Sequence, residues 1–198
     1  MSPPSRPPLS ANASKQRGLV LNDTFYARRA EVVAQELLGK VLVRRYRNVT
    51  QALPITETEA YVGPHDKACH AHRGRTPRNA IMFGPAGKWY VYFCYGMHWM
   101  LNVVTNDEDY PAAVLFRAAG NWTGPGRLTK ALQIDGQLNG ENAARKSGLW
   151  IEDRGIRIPK SAIERTPRIG IGYAKEWTEK PLRFLVSQKR LTFLLDLD

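Results

Sequence analysis

The sequence is short of cysteine, histidine and acid, and each shortage closes off a class of function. Two cysteines, Cys69 and Cys94, in 198 residues make no disulfide framework and point to a reducing compartment. The four histidines fall in no metal-binding pattern. His65, Cys69, His70 and His72 lack a paired Cys-x-x-Cys, and no His-x-Glu occurs, which argues against zinc-dependent deamination and against any metal site. No Walker loop or Rossmann fingerprint appears, so neither a nucleotide nor any other cofactor is expected. No apolar run reaches the roughly 18 residues of a membrane span, and the first residues lack the apolar stretch of a secretory signal. Acids are outnumbered, 18 Asp and Glu against 29 Lys and Arg, for a formal charge of +11. Such a balance calls for an acidic partner, nucleic acid first and an anionic membrane second.

What is present fits one domain with a normal core: 43% of the residues are apolar. Residues 1–17, rich in Pro, Ser and Asn with Arg6, Lys15 and Arg17, are expected to form a disordered basic tail, followed by a single domain over 18–198. Ala30, Val33, Ala34, Leu37 and Leu38 repeat at helical spacing, with Gly39 as the C-terminal cap. Strands are expected from Val41, over Ile55–Val62, over Trp89–Tyr95 and Met97–Thr105 on either side of Gly96, over Ala112–Ala118, over Ile151–Pro159 with Glu152 and Asp153 at its start, and over Leu182–Val186. Residues 63–80 read as a long loop. Thr123 is the expected N-cap of a helix that opens Gly124-Pro-Gly126-Arg127, a start that could hold phosphate with Lys130 nearby. A short helix is expected within 135–148, a glycine-containing strand or turn at Arg168–Gly172, and a C-terminal packing run at Leu191–Leu195.

Two segments carry the chemistry. In a strand, residues two apart share a face, so Glu57, Glu59 and Tyr61 point one way and Thr56, Thr58 and Ala60 the other. Two like charges on one face repel unless one gains a proton or a cation meets them. The loop that follows offers His65, His70, His72, Arg73, Arg75 and Arg78. A carboxylate held near such cations can act as a base on water or stabilise a developing positive charge. Thirty residues on, Trp89, Tyr90, Tyr92, Phe93, Tyr95, His98 and Trp99 supply flat faces for nucleobases, although some of them must be core. A turn at Gly96 puts Tyr95 near a hairpin tip, where a bulky ring is wasted unless it inserts into something. Acids and aromatics inside a basic chain suggest chemistry on a bound polyanion that carries rings.

Glu57-Thr-Glu59-Ala-Tyr61-x-Gly-Pro, His70, Thr76-Pro-Arg-Asn79, Tyr90-Val-Tyr92-x-x-Tyr95-Gly-Met97, Asn102, Leu115-x-Arg117-Ala, Gly124-Pro-Gly-x-Leu-Thr-Lys-Ala-Leu132 and Lys180-Pro-Leu-Arg-Phe184 occur in this order. Together they resemble the alkyladenine (3-methyladenine) DNA glycosylases of the mammalian type, over about residues 22–186. The resemblance implies a mixed α+β single domain with a curved antiparallel sheet, a roll or open barrel, flanked by helices and bearing a protruding hairpin. It implies a monofunctional, cofactor-free monomer that everts a damaged purine from double-stranded DNA, hydrolyses the N-glycosidic bond and leaves an abasic site. The lesion class is 3-methyladenine, 7-methylguanine and hypoxanthine. Carried over by motif, Glu59 activates the water and Arg117 helps position it. Tyr61, His70 and Tyr92 wall the pocket, and Asn102 at its floor rejects guanine. Tyr95, with Met97 beside it, fills the gap in the duplex. The chain would then work on the bacterial nucleoid in the cytoplasm or, in a eukaryote, in the nucleus. Cys69 and His72 depart from the pattern and put the local shape of the pocket in question. Against this stand two rivals: a DNA-binding protein without turnover, and a sugar glycosidase using Glu57 and Glu59 as a pair.

Overall fold

The structure is a computed structural model in which residues 18–187 are described; the expected tail over 1–17 and the Leu191–Leu195 run lie outside them. Ten strands make one sheet: β1 (Leu19–Val20), β2 (Val41–Tyr46), β3 (Val49–Tyr61), β4 (Trp89–Cys94), β5 (His98–Thr105), β6 (Ala112–Ala119), β7 (Trp122–Thr123), β8 (Leu149–Asp153), β9 (Ile163–Thr166) and β10 (Arg183–Val186). The order across it is β1-β8-β2-β3-β6-β5-β4, with β10 joined to β3 and β9, and β7 to β6. Every pairing is antiparallel, and the sheet curls into a half-barrel. Three short α-helices accompany it among the described residues, α1 (Asp23–Tyr26), α2 (Ala30–Glu36) and α3 (Pro125–Ala131). A single domain of curved antiparallel sheet with a few helices is what the resemblance implied.

The expected amphipathic helix is α2. Ala30, Val33, Ala34, Leu37 and Leu38 are all buried, and each large aliphatic side chain so removed from water contributes about 1.5–3 kcal/mol. The helix lies across the back of β3, where the Thr58 hydroxyl donates to the Ala34 carbonyl (2.8 Å). Gly39, at φ +82°, ends it, and a Cβ there would approach Ile158 to 3.0 Å. Fully buried Trp89, Phe116, Leu42, Leu101 and Leu128 fill the core between sheet and helices.

Strand β3 organises the molecule and is longer than the expected Ile55–Val62. One of its edges pairs with β2 over residues 49–54 and with β10 over 57–59, and the other pairs with β6 over 55–61. Pro54 is tolerated inside it because it stands where the β6 ladder ends; its carbonyl accepts the last bond, from Gly120 N–H (2.8 Å), and no N–H is missed. The register between β3 and β6 slips twice, leaving Thr56 and then Arg117 unpaired. Bulges of this kind sharpen the local bend and re-aim side chains.

Several expected boundaries move. Strand β8 ends, rather than starts, at Glu152 and Asp153, because Gly155 at φ +80° turns the chain. Arg168–Gly172 is a turn with Gly170 at φ +79°. Thr123 closes β7, and the N-cap of α3 is Gly124 at φ +91°, with no side-chain cap. The following Gly126 serves packing: a Cβ on it would stand 2.6 Å from the His98 ring. With seven residues and that role for its glycine, α3 gives the expected phosphate cradle no support. The segment 135–148 holds two 3₁₀ turns, Gly136–Leu138 and Arg145–Ser147.

Candidate active site

Alternation along β3 sends Glu57, Glu59 and Tyr61 to the face opposite α2, while Thr58 and Ala60 turn inward to the core. On β6, Arg117 reaches the same face from its bulge. Its Nε donates to Glu57 Oε1 (2.8 Å) and its Nη1 lies 3.2 Å from Glu59 Oε1. Glu57 also accepts from Arg183 Nε of β10 (2.6 Å). The two carboxylates are therefore separated by role as well as by position: Glu57 holds two guanidinium groups in place, and Glu59 faces the interior.

Glu59 is 0% exposed. Its Oε2 accepts from the Tyr61 hydroxyl (3.0 Å), and its Oε1 from the backbone N–H of Ile169 (2.9 Å). Burial raises its affinity for a proton, against the pull of Arg117, the Ile169 N–H, the Tyr61 hydroxyl and Arg168. A carboxylate offers about four acceptor sites. Two hydrogen bonds and the Arg117 ion-pair contact leave acceptor capacity on Oε2.

Tyr61 is the link to a recess lined by Tyr61, Ala68, His70, Met82, Tyr90, Tyr92, Asn102 and Ala113, with a cavity volume of about 20 Å³. The four wall and floor residues expected from sequence, Tyr61, His70, Tyr92 and Asn102, thus meet in one place. His70 Nδ1 is 2.7 Å from the Tyr90 hydroxyl, and its ring meets that of Tyr92 edge to face with centroids 4.5 Å apart. Burial, then Arg78, lowers the His70 pKa to about 4, so the ring is neutral near pH 7 and does not repel a cation. Asn102 donates to the Tyr90 carbonyl (3.1 Å) and is buried at the recess floor. The recess has room for little more than one water molecule, so a purine cannot enter it as it stands. Glu59 and Arg117 do not line it; Glu59 touches it through Tyr61.

The long loop is anchored by Asn79 and Asp66, neither of which has a role implied by the sequence. Asn79 Nδ2 donates to the carbonyls of His70 and Gly74 (both 2.9 Å). Asp66, fully buried, accepts from the N–H groups of Val62 (3.1 Å) and Ala68 (3.0 Å) and from Arg168. The signal for Asp66 was weak, a lone acid among histidines; Arg168 and Arg183 lay in motifs that were noted but given no task. Cys69 does not shape the recess. It packs behind Tyr90 with its Sγ toward the Pro111 carbonyl (3.6 Å), and burial pushes its thiol up to about 11. His72 binds the Pro64 carbonyl (2.8 Å) at the surface, and His65 lies beside Trp177.

Strands β4 and β5 form the hairpin whose tip is Tyr95-Gly96-Met97. Tyr95 (φ +51°) and Gly96 (φ +65°) make the mirror-image turn that matches strand twist, closed by Met97 N–H to the Cys94 carbonyl (3.1 Å). The tip leaves Tyr95 85% and Met97 68% exposed, three and five residues beyond Tyr92 in the recess wall.

The profile of the methylpurine-DNA glycosylase family matches residues 24–122 and 120–190. The putative 3-methyladenine DNA glycosylase of Myxococcus xanthus (strain DK1622) is 46% identical over 179 residues, covering 84% of this chain and 89% of that protein. That of Anaeromyxobacter dehalogenans (strain 2CP-C) is 46% identical over 171 residues, with 83% and 82% covered. A third, from Methanocella arvoryzae, is 43% identical over 185 residues, with 83% and 91% covered.

Proposed function

The chain belongs to the methylpurine-DNA glycosylase family, and on that footing we propose how its residues divide the work. The activity is that of a 3-methyladenine DNA glycosylase in base excision repair, and its substrate is DNA that carries a damaged purine. No helix of the described residues is long and apolar enough to cross a membrane. The finer reading is a monomer that works on the nucleoid of a bacterium, or in the nucleus of a eukaryote, and accepts 7-methylguanine and hypoxanthine besides 3-methyladenine.

A stacked and paired base hides its glycosidic bond, so the nucleotide must leave the helix at a cost of a few kcal/mol. Surface lysines and arginines supply non-specific affinity for phosphate, and Tyr95 with Met97 occupies the vacated step. The everted purine enters the recess and pushes His70 and Tyr92 away from Tyr61, widening a slot that is closed without it. A cationic alkylpurine is held there by electron-rich rings and by a neutral His70. Asn102 leaves no room for the exocyclic amine of guanine. As the bond breaks, the sugar takes on oxocarbenium character. Glu59 stabilises that charge and takes a proton from the attacking water, while Arg117 holds its carboxylate in line.

The observation that carries this reading is the buried Glu59 carboxylate bonded to the hydroxyl of a ring that walls the recess. The test is single-turnover excision on duplexes that each contain one modified purine, with alkali to reveal abasic sites. Glu59→Gln is expected to bind lesion DNA as the parent does and to yield almost no abasic product; retained excision would take Glu59 out of the mechanism.

A further inference from the structure

Among the described residues, Arg168 and Asp66 form the one ion pair in which both side chains are fully buried. The pairing is bidentate, with Nη1 to Oδ2 at 2.6 Å and Nη2 to Oδ1 at 2.8 Å, and it joins positions 102 residues apart. Burying two charges is a poor route to stability, because desolvation offsets their attraction. What the pair imposes is geometry. Nη1 of Arg168 also donates to the Ala60 carbonyl of β3 (2.9 Å), and the guanidinium carbon sits 4.7 Å from the centre of the Tyr61 ring. Asp66 in turn grips the N–H groups of Val62 and Ala68, the latter in the recess wall. The residue after Arg168 is Ile169, whose N–H meets Glu59 (2.9 Å).

We infer that Arg168, clamped by Asp66, is a positioning residue for base excision: it seats the Tyr61 ring and delivers the Ile169 N–H to Glu59, so that the carboxylate meets the recess in a single orientation. The inference rests on the reading of Glu59 as the base. Arg168 acts through Tyr61 and the backbone and touches neither the purine nor the water. Its charge acts as well. Facing Glu59 are Tyr61 from β3, Arg117 from β6 and Arg168 from the C-terminal turn; Arg183 stands opposite it on β10, bonded to Glu57. Arg168 is among the groups that counter burial and favour the ionised Glu59, while Asp66 neutralises part of that charge.

The experiment is the pH dependence of single-turnover excision, between about pH 5 and 9, on a duplex with one cationic alkylpurine, a lesion that needs no acid catalyst. Arg168→Gln is expected to slow excision ~10–100-fold near pH 7 and to move the acidic limb up by about half a unit or more. Asp66→Asn is expected to move the limb down, since Arg168 keeps its charge and loses the counter-charge. Arg168→Lys, which keeps the charge and loses the planar fork and the stack, is expected to lower the rate ~10-fold with the limb near its original place. Limbs that stay put in both Arg168→Gln and Asp66→Asn, or that shift together in one direction, would overturn the inference and leave the pair a structural bond. Should circular dichroism show Arg168→Gln unfolded, Asp66→Asn decides alone: a limb moved down supports the inference, and one that stays put or moves up overturns it. Failure of the underlying reading is distinguishable, because it appears as excision retained by Glu59→Gln whatever the limbs do.

Discussion

Two strands of one sheet each bury a glutamate among arginines, and the outcomes are opposite. On β8, Glu152 accepts from Trp150 Nε1 (2.8 Å), Arg145 Nη2 (2.7 Å), Arg154 Nε (3.0 Å) and the Gly18 N–H (3.3 Å). Burial works against its ionisation, yet the Trp150 and Arg154 bonds outweigh burial and hold it below the usual carboxylate range. On β3, Glu59 has fewer and weaker charged partners: Arg117 stands off at 3.2 Å, and the closer donors are a hydroxyl and a backbone amide. There burial wins and proton affinity rises. Of the arginines around Glu152, Arg145 lies at the rim with 43% of its side chain exposed, whereas Glu59 is fully buried and touches the recess only through Tyr61. One carboxylate is satisfied and staples strands together; the other keeps an acceptor site and a raised affinity, which is what a base requires.

The contrast can be broken by experiment. The largest expected effect is Glu59→Gln, a fall of ~10³-fold or more in single-turnover excision with a thermal midpoint equal to or above that of the parent. Glu152→Gln should do the reverse. It loses charge-assisted bonds worth about 2–3 kcal/mol, which in a chain of this size lowers the midpoint by roughly 5–10 °C, and the excision rate per folded molecule stays unchanged. Equal stability losses in the two variants would erase the distinction drawn here. Tyr95→Ala, at an exposed tip away from both clusters, should cut excision by ~10–100-fold and leave the midpoint alone.

The smallest effect is in the pH dependence of stability, where the signs differ. Glu59 binds its proton more tightly folded than unfolded, so its contribution weakens as pH rises through the folded pKa. The midpoint of the parent minus that of Glu59→Gln should therefore become more negative from about pH 4.5 to 7. Glu152 is lowered, so its stabilisation is present above the unfolded value of ~4.3 and is lost as pH falls through the folded one. The advantage of the parent over Glu152→Gln should shrink below about pH 4. His70, at about 4 when folded against ~6.5 unfolded, costs stability as pH drops between those values, and His70→Gln should remove that slope. Thermal melts across pH, by fluorescence, check all three.

Much of this was legible in the chain. Alternation assigned Glu57, Glu59 and Tyr61 to one face, helical spacing gave α2, and Gly96 marked the hairpin tip. Ordered motifs gathered His70, Tyr92 and Asn102 before any geometry was known. What escaped were features without local pattern. The edge strands β1 and β9 are too short or too polar to alternate clearly, and β8 was misplaced because its apolar residues precede the acids that drew attention. Gly124 displaced Thr123 as the cap of α3, because a positive φ there decided the turn. The small volume of the recess depends on how eight side chains from strands β3 to β6 and the segment between β3 and β4 pack together, and no spacing encodes that.

Local chemistry, then, determined the parts: a basic surface for a polyanion, a strand that presents carboxylates with a tyrosine, and a run of rings beside a turn. Which of the two carboxylates is fully buried was decided only by tertiary packing. Glu57 and Glu59 are the same residue type two positions apart on one strand. They differ because the β6 bulge brings Arg117 up to one more closely than to the other, and because a turn more than a hundred residues away supplies the second with a backbone amide. Burial and partner number are properties of the folded neighbourhood, and they shift a proton affinity away from the value the residue type gives it.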